Sequence, residues 1–301
     1  MRAALLTAYG DVDKLVVRDV PEPRARANEI KVRMAGASIN PIDWKIRSGA
    51  LEASRPLELP TILGRDVSGE VVEVAPGVTA FKVGDKVMGL VQRAYAEFVV
   101  AKSDAWAAVP EGMDLVDAGA LPLVLLTGTQ LIEEAVRPIE GDEVLVTGAV
   151  GSVGRAAVFA ARACGARVWA GVRGSRKAEA AQLGADGVVA LDDEQELGQL
   201  PRLDCVADTV GGITIQRVLG KVKAGGTIGS VVGEPAGARE RGLVVHTMMS
   251  HADGKRLATL AGAVAHGKLV IPIAKRLPLS EAGQAQKLAE KGAGGKVILT
   301  A

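Results

Sequence analysis

Two kinds of hydrophobic pattern divide the chain. Over the first hundred residues, Val and Ile alternate with charged residues in three short segments, at 29–34, 68–74 and 95–100. Alternation with a period of two predicts strands that bury one face, and turns such as Ala75-Pro76-Gly77 separate them. Many short strands joined by Gly and Pro turns predict a small barrel or sandwich.

After about residue 117 the pattern changes to repeated strand, loop and helix. A continuous apolar strand at 143–147 precedes a glycine-rich turn and an Ala-rich helix at 153–164. Further strands are predicted at 167–171, 187–191, 204–208 and 226–232, with 243–247 as an additional candidate. Apolar strands that alternate with helices predict a parallel, doubly wound sheet. The last residues, 295–301, are predicted to form a strand that returns to the first domain.

Composition and charge narrow the class of protein. The 301 residues predict two domains, and 48% apolar residues are enough for a sizeable core. A formal net charge of +1 argues against a nucleic-acid partner. Arg155, Arg162 and Arg167 interrupt the apolar tract 144–172, so we expect no membrane span there. The first apolar stretch is too short for a signal peptide, and we expect a cytoplasmic protein.

Cysteine and histidine are too few for a metal or disulfide framework. Cys164 and Cys205 both lie in apolar runs, and the three histidines all fall in the last quarter of the chain. No zinc site of the usual ligand types can be assembled from these residues. We therefore expect no metal.

A glycine-rich turn between the strand at 143–147 and the following helix is the main functional signal. Its spacing is Gly-x-x-Gly-x-x-Gly, and such glycines let a pyrophosphate approach the backbone at a helix N-terminus. The alternative is a simple tight turn without a ligand. The predicted dinucleotide contacts in this turn are Gly148, Val150, Gly151, Ser152, Val153 and Gly154.

The segment after the second strand indicates which nucleotide is bound. An NAD site would place an acid about 20 residues beyond the glycines, but Arg173 stands there and no acid occurs before Glu179. We predict NADP(H), with Arg173, Ser175 and Lys177 as contacts to the 2′-phosphate. The alternative is a solvated, cationic helix start.

Several stretches carry a resemblance to a known family: 39–49, 63–69, 94–97, 120–122, 208–212 and 295–299. They resemble the medium-chain dehydrogenase/reductase superfamily, in particular its zinc-independent quinone oxidoreductase (zeta-crystallin-like) branch. The resemblance implies an α/β fold with a GroES-like β-rich domain, residues 1–118 with 266–301, and a Rossmann domain, residues 119–265. Zinc-dependent members carry Gly-His-Glu where this chain has Gly64-Arg65-Asp66. The resemblance also implies a homodimer.

The missing metal favours a particular reaction. Oxidising an alcohol requires a Lewis acid or a strong base, and neither tyrosine is followed four residues later by the lysine that another dehydrogenase class uses. Hydride addition to a quinone or an enone is less demanding, because the resulting anion is delocalised. We therefore expect an NADPH-dependent reductase of a quinone or an α,β-unsaturated carbonyl compound.

The candidate catalytic residues are Asn40, Asp43 and Lys45. Asn40 could bond the substrate carbonyl, Lys45 could stabilise the anion, and Asp43 could hold Lys45 or a ribose. The alternatives are a turn with an Asx-type cap for Asn40 and Asp43, and a solvated side chain for Lys45. Arg65 and Asp66 could form an ion pair in place of the zinc ligands.

Further cofactor contacts follow from the resemblance and from strand ends. Thr127 resembles the family's nicotinamide-contacting threonine, with a helix hydroxyl bonded to its own backbone as the alternative. Ligands of open α/β sheets bind beyond the carboxyl ends of the strands, which adds Val210, Gly211, Val231 and Gly233. Lys296, in the stretch 295–299, is also assigned to the cofactor.

Two other functions stay open from the sequence. One is an NADPH-binding sensor or structural protein with little catalysis, and the other is an enoyl reductase acting on thioesters.

Overall fold

The two predicted halves form separate units in the computed structural model, which describes residues 1–301. The first unit comprises Met1–Leu123 and Ala252–Ala301, and the second comprises Val124–His251. The second boundary differs from the predicted residue 266 because helix Gly254–Ala265 packs on the first unit. A Cβ on Gly254 would lie 2.2 Å from the carbonyl oxygen of Trp106, so this helix begins in close contact with the strand there.

Sixteen strands and nine α-helices follow one another along the chain. The strands are β1 (Arg2–Leu6), β2 (Leu15–Asp19), β3 (Glu29–Ser38), β4 (Thr61–Ile62), β5 (Asp66–Val74), β6 (Lys86–Leu90), β7 (Phe98–Lys102), β8 (Trp106–Ala108), β9 (Glu143–Thr147), β10 (Arg167–Val172), β11 (Gly187–Ala190), β12 (Leu203–Asp208), β13 (Val222–Ser230), β14 (Val244–Thr247), β15 (Ile273–Pro278) and β16 (Lys296–Thr300). The helices are α1 (Pro41–Arg47), α2 (Leu115–Ala118), α3 (Pro122–Gln130), α4 (Ser152–Ala163), α5 (Lys177–Ala180), α6 (Glu194–Gln199), α7 (Gly212–Val218), α8 (Gly254–Ala265) and α9 (Ala282–Glu290). A π-helical segment, Leu131–Val136, continues α3.

The first unit is built around a seven-stranded sheet. Its strand order is β15-β16-β3-β5-β6-β8, with β7 also paired to β3, and β1 lies between β2 and β4 in a smaller sheet. Strand β16 pairs antiparallel with the end of β3, which confirms that the C-terminal strand returns to the first domain. Ile30, Val67 and Val297 show how both chain ends supply one buried core.

The second unit is a six-stranded parallel sheet. Its order is β11-β10-β9-β12-β13-β14, with every neighbouring pair parallel. Val144 and Val146 pack in one core cluster and Leu145 in another, so β9 is buried on both faces. This arrangement confirms the predicted doubly wound sheet, because only a strand covered on both faces carries a continuous apolar run.

One helical stretch, Leu115–Val136, is long and apolar enough to cross a membrane by length and composition alone. Of its most apolar window, 83% is buried inside the protein. The buried core helix of a protein that never meets a membrane satisfies the same test, so the stretch is a weak indication of a span.

Candidate functional site

The glycine-rich turn connects β9 to α4 and leaves no room for side chains. Gly148 has a φ of +63°, and a Cβ on Gly154 would lie 2.1 Å from the Gly148 carbonyl oxygen. Gly151 precedes α4 and offers no side chain to cap it. The N–H groups of the first turn of α4 are therefore open to an external acceptor, and the helix dipole favours an anion there.

This turn lies at the point where the strand order of the sheet reverses. Strand β9 pairs with β10 on one side and with β12 on the other. The chain runs from β9 through β10 to β11 and then crosses to β12 on the opposite side of β9. Ligands of open α/β sheets bind at such a point. The structure brings the predicted Val210 to the turn, since a Cβ on Gly148 would lie 2.7 Å from its Cγ2.

A cavity of about 370 Å³ lies at the same edge of the sheet. Gly211, which follows β12, and Gly233, which follows β13, both line it. Both glycines have a positive φ, of +73° and +114°. The predicted residue Val231 directly follows β13, and its N–H donates to the Asp208 carbonyl oxygen.

Asp208, which is not among the predicted site residues, holds the strand ends together. Its buried carboxylate accepts from the Thr147 hydroxyl (2.8 Å), the Gly211 N–H (2.9 Å) and the Ser230 hydroxyl (3.2 Å). These bonds join β9, β12 and β13. The sequence does contain a signal for this role, because Asp208 is an acidic residue that ends an otherwise apolar strand. A buried carboxylate needs hydrogen-bond donors nearby.

Thr127 carries a buried hydroxyl without a partner. The residue is 6% exposed, and its Oγ1 has no hydrogen bond within the chain. The alternative that this hydroxyl bonds its own helix backbone is therefore wrong. The adjacent Gly128 packs on α4, where its Cβ would lie 2.5 Å from the Val153 carbonyl oxygen. An unsatisfied buried hydroxyl on a helix that packs against α4, together with the glycine cradle, fits a dinucleotide.

The residues predicted to contact the 2′-phosphate differ in whether their side chains are already paired within the chain. The side chains of Arg173 and Ser175 are exposed and make no hydrogen bond or ion pair within the chain, whereas the Arg173 carbonyl oxygen accepts from the Arg176 N–H. The Lys177 ammonium instead lies 2.6 Å from Glu196 Oε1, and Asp192 Oδ1 accepts from the Gly174 N–H at 2.8 Å. Only part of the predicted cationic cluster is free for a phosphate. Asp192 comes from beyond β11, so its presence beside the loop was not visible in the local sequence.

In the first unit, Asn40 is the centre of a buried polar cluster. Its Nδ2 donates to Asp66 Oδ2 (2.8 Å) and to the Ser38 carbonyl oxygen (3.3 Å), and its Oδ1 accepts from Lys296 Nζ (2.6 Å). The side chain is 0% exposed. Both amide hydrogens are committed within the unit, so Asn40 has no free donor for a substrate carbonyl in this arrangement. Lys296 is likewise engaged, and its pKa is lowered by burial.

Asp43 caps α1 and does not contact Lys45. Its Oδ2 accepts from the Asn40 backbone N–H (2.8 Å) and from the Tyr95 hydroxyl (2.6 Å). The cap confirms the turn interpretation of this residue. Burial raises the pKa of Asp43 to about 6, although the Tyr95 bond opposes the shift. Lys45 is half-buried and makes no ion pair. The catalytic roles of Asn40, Asp43 and Lys45 stay predictions.

The expected ion pair between Arg65 and Asp66 does not form. Asp66 accepts from Ser38 Oγ (2.6 Å), from Asn40 Nδ2 and from the Leu123 N–H (2.6 Å), and Lys296 Nζ lies 3.7 Å from it. These donors occupy the carboxylate. Arg65 is half-buried, and its Nε is shielded from solvent with no hydrogen-bond partner.

No three His, Cys, Asp or Glu side chains come close enough together to hold a metal ion. Cys164 and Cys205 are free thiols, and burial raises the pKa of both. Neither thiol lies in the polar cluster or at the glycine turn.

Two protein-family models match the chain. The alcohol dehydrogenase GroES-like domain matches residues 26–111, and the zinc-binding dehydrogenase model matches residues 183–299. Together they fall on both structural units.

Relatives of similar sequence are known from plants and animals. The chloroplastic quinone-oxidoreductase homolog of Spinacia oleracea is 35% identical over 207 residues, which cover 63% of this chain and 60% of the relative. The mitochondrial NAD(P)H oxidoreductase RTN4IP1 of Mus musculus is 31% identical over an alignment of 322 positions, which covers 90% of this chain and 81% of the relative. The chain spans only 60% and 54% of the length of the first two plant relatives that it matches.

Among solved structures, the quinone oxidoreductase from Coxiella burnetii superposes over the whole chain. Its TM-score is 0.88 at 30% identity, covering 100% of this chain and 99% of the other. The fold therefore agrees along the full length of both proteins.

Proposed function

Because the chain belongs to the medium-chain dehydrogenase/reductase superfamily, in its quinone oxidoreductase-like branch, we propose that it is an NADPH-dependent reductase. The proposed substrate is a small quinone or an α,β-unsaturated carbonyl compound. The observation that carries the proposal is the glycine cradle at the point where the strand order reverses, together with the unpartnered Thr127 hydroxyl on the helix that packs against α4.

The residues of the second unit would bind and orient the cofactor. The open N–H groups of α4 suit a pyrophosphate, and the Thr127 hydroxyl is available to a polar group of the nicotinamide half. Asp208 fixes the ends of β9, β12 and β13, which keeps the cradle rigid. When bound, the reduced cofactor supplies a hydride, which carries one proton and two electrons.

Two considerations support a conjugated acceptor. Hydride addition to a quinone or an enone places negative charge on a delocalised oxygen, and hydrogen-bond donors suffice to stabilise it. In addition, the spinach relative and the Coxiella structure bear the name quinone oxidoreductase. The oxyanion then takes one proton from solvent to complete the reduction.

The preference for NADPH rests on Arg173. Its guanidinium is exposed and has no partner, whereas Lys177 is neutralised by Glu196. We expect Arg173→Ala to weaken NADPH binding about tenfold or more while NADH binding stays unchanged, because only NADPH carries the 2′-phosphate. Lys177→Ala is the matched control and should have a smaller effect. Equal affinity of the wild-type protein for NADH and NADPH would contradict the preference, and Asp192 would then be the residue to examine.

The reaction is tested by anaerobic oxidation of NADPH with one small quinone, one 2-alkenal and one saturated ketone. We expect turnover of the quinone or the alkenal and none of the ketone. Turnover of the ketone alone would overturn the proposed substrate class. NADPH binding without any turnover would instead favour a sensor or a structural protein.

A further inference from the structure

A second cavity, of about 420 Å³, lies wholly within the first unit, and none of the predicted site residues lines it. Its walls come from both sheets of that unit, because Ile62 belongs to β4 of the smaller sheet and Phe98 belongs to β7, which pairs with the larger one. Three arginines also line it, namely Arg24, Arg26 and Arg93. We propose that this cavity binds a small amphipathic anion, that is, an apolar molecule with one carboxylate or phosphate head.

The three guanidinium groups of the cavity are not neutralised within the chain. All three side chains are exposed, and none makes a hydrogen bond or an ion pair. Lys31 Nζ holds Glu22 at 2.9 Å and Glu73 at 2.7 Å, so neither of these acids is paired with an arginine of the cavity. Glu29 is the one carboxylate among the lining residues, and its Oε2 accepts from the Arg26 backbone N–H at 2.8 Å. The lining therefore carries an excess of positive charge, which attracts an anion.

The backbone of Arg93 is a second observation that points to a ligand. Its φ is +59°, a conformation that residues other than glycine and asparagine rarely adopt. Arg137 has a similar φ of +53°, but its Nε donates to the Glu134 carbonyl oxygen at 2.7 Å, at the end of the π-helical segment. The Arg93 side chain makes no such internal bond. An unfavourable conformation that no internal contact offsets is typical of a functional position, so we assign the Arg93 guanidinium to the bound anion.

The segment that carries the other two arginines is restricted before a ligand binds. It joins β2 to β3 without forming a helix or a strand, and Pro21 and Pro23 fix the φ angle at two of its positions. Both prolines also line the cavity. Because less backbone freedom is lost on binding, a restricted segment costs less affinity than a flexible loop.

The two kinds of wall select an amphipathic ligand. Ile62 and Phe98 are half-buried, so the apolar part of a ligand would remove their remaining surface from water. An arginine fork can hold a carboxylate or a phosphate through two parallel N–H···O bonds. Pockets that bind small molecules combine such apolar walls with a few polar groups, and their volumes are about 300–1,000 Å³.

The test is isothermal titration calorimetry of the whole protein with dodecanoate and with dodecyl phosphate, which share a chain and differ in the head group. We expect at least one of them to bind with 1:1 stoichiometry, and the tighter one identifies the head. Dodecyltrimethylammonium, which has the same chain and a positive head, should not bind, and neither should acetate, which has no chain.

Two variants locate the bound anion. We expect Arg93→Asn and Arg24→Met each to weaken binding of the tighter anion about tenfold, because each removes a charged hydrogen-bond donor from the cavity. Arg137→Asn is the matched control, since it removes the same charge at nearly the same backbone conformation outside the cavity, and it should leave the affinity unchanged. Thermal unfolding should show no lower Tm for Arg93→Asn, because asparagine tolerates a positive φ better than arginine does.

Several outcomes would overturn the proposal. Failure of both anions to bind is one, and an affinity unchanged in both Arg93→Asn and Arg24→Met is another, because the anion would then lie outside the cavity. Equally tight binding of dodecyltrimethylammonium would indicate an apolar surface without charge selection, and equally tight binding of acetate would indicate a simple ion site. If Arg93→Asn lowers the Tm, Arg24→Met at an unchanged Tm decides the matter. The proposal does not depend on the proposed reductase activity, which NADPH oxidation tests separately.

Discussion

Thr127 and Thr129 both bury a hydroxyl oxygen that lacks a hydrogen-bond partner. An unsatisfied buried hydroxyl costs about 1–3 kcal/mol, so we expect replacement of either threonine by the isosteric valine to raise the free energy of unfolding. Only Thr127→Val should also weaken NADPH binding, by about fivefold, if its hydroxyl is reserved for the cofactor. Urea unfolding and fluorescence titration with NADPH measure the two effects. Equal binding by both variants would remove Thr127 from the cofactor site.

Asp43 makes the stability of the first unit depend on pH. Burial raises its pKa from 3.8 to about 6, so the folded protein holds this proton more tightly than the unfolded chain does. The stability contribution of the group therefore falls as the pH rises from about 4 to about 6, and the total loss is about 3 kcal/mol.

Asp43→Asn removes this ionisation and one acceptor oxygen. We expect the variant to be destabilised relative to the wild-type protein, and more strongly at about pH 4 than at about pH 8, where the wild-type protein carries the buried charge. Denaturant unfolding at both pH values measures the difference. A destabilisation that does not change with pH would show that Asp43 does not titrate in this range.

At the residue scale, the sequence predicted local contacts better than distant ones. The bond from Asp43 to the backbone of Asn40 joins residues three apart, and turn chemistry alone favours it. The bond from Lys296 to Asn40 joins residues 256 apart, and no local pattern indicates it. The Asp192 carboxylate beside Gly174 and the unpaired Arg65 also depend on tertiary placement.

At the scale of elements, the glycine turn allows α4 to approach β9. A Cβ on Gly154 would lie 2.1 Å from a carbonyl oxygen, so Gly154→Ala must push the helix away from the turn. We expect NADPH affinity to fall at least about tenfold, because the N–H groups at the start of α4 move from their acceptor. Gly198→Ala in α6 meets nothing within 4 Å and should be neutral or slightly stabilising. Isothermal titration calorimetry of both variants checks this, and unchanged affinity in Gly154→Ala would place the pyrophosphate elsewhere.

All six strands of the second unit and helix α4 were predicted, whereas several of their ends were not. The helix expected at 153–164 is observed at Ser152–Ala163, and the strand expected at 226–232 is observed at Val222–Ser230. Strand β13 begins earlier because Val222 pairs with Leu203, although Lys223 and two glycines interrupt the apolar pattern there. Pairing with a neighbouring strand decides such an end, and a single sequence does not contain that information.

At the scale of the whole molecule, the last strand completes a sheet that begins at the other end of the chain. Val297, Ile298 and Leu299 are all at most 1% exposed, and β16 pairs with β15 and β3. Each buried aliphatic side chain contributes about 1.5–3 kcal/mol, and the net stability of a domain is only about 5–15 kcal/mol. Deleting residues 296–301 should therefore unfold the first unit.

The second unit should survive this deletion, because β9 and β12 pair only with strands of their own sheet. Hydrogen exchange followed by mass spectrometry measures both units in one sample. We expect the amides of β3 and β5 to lose protection while those of β9 and β12 retain it, and deletion of the exposed Ala301 alone to change neither. Retained protection in β3 and β5 would show that the first sheet is stable without its C-terminal strand. Loss of protection in all four strands would show that the two units unfold as one cooperative structure.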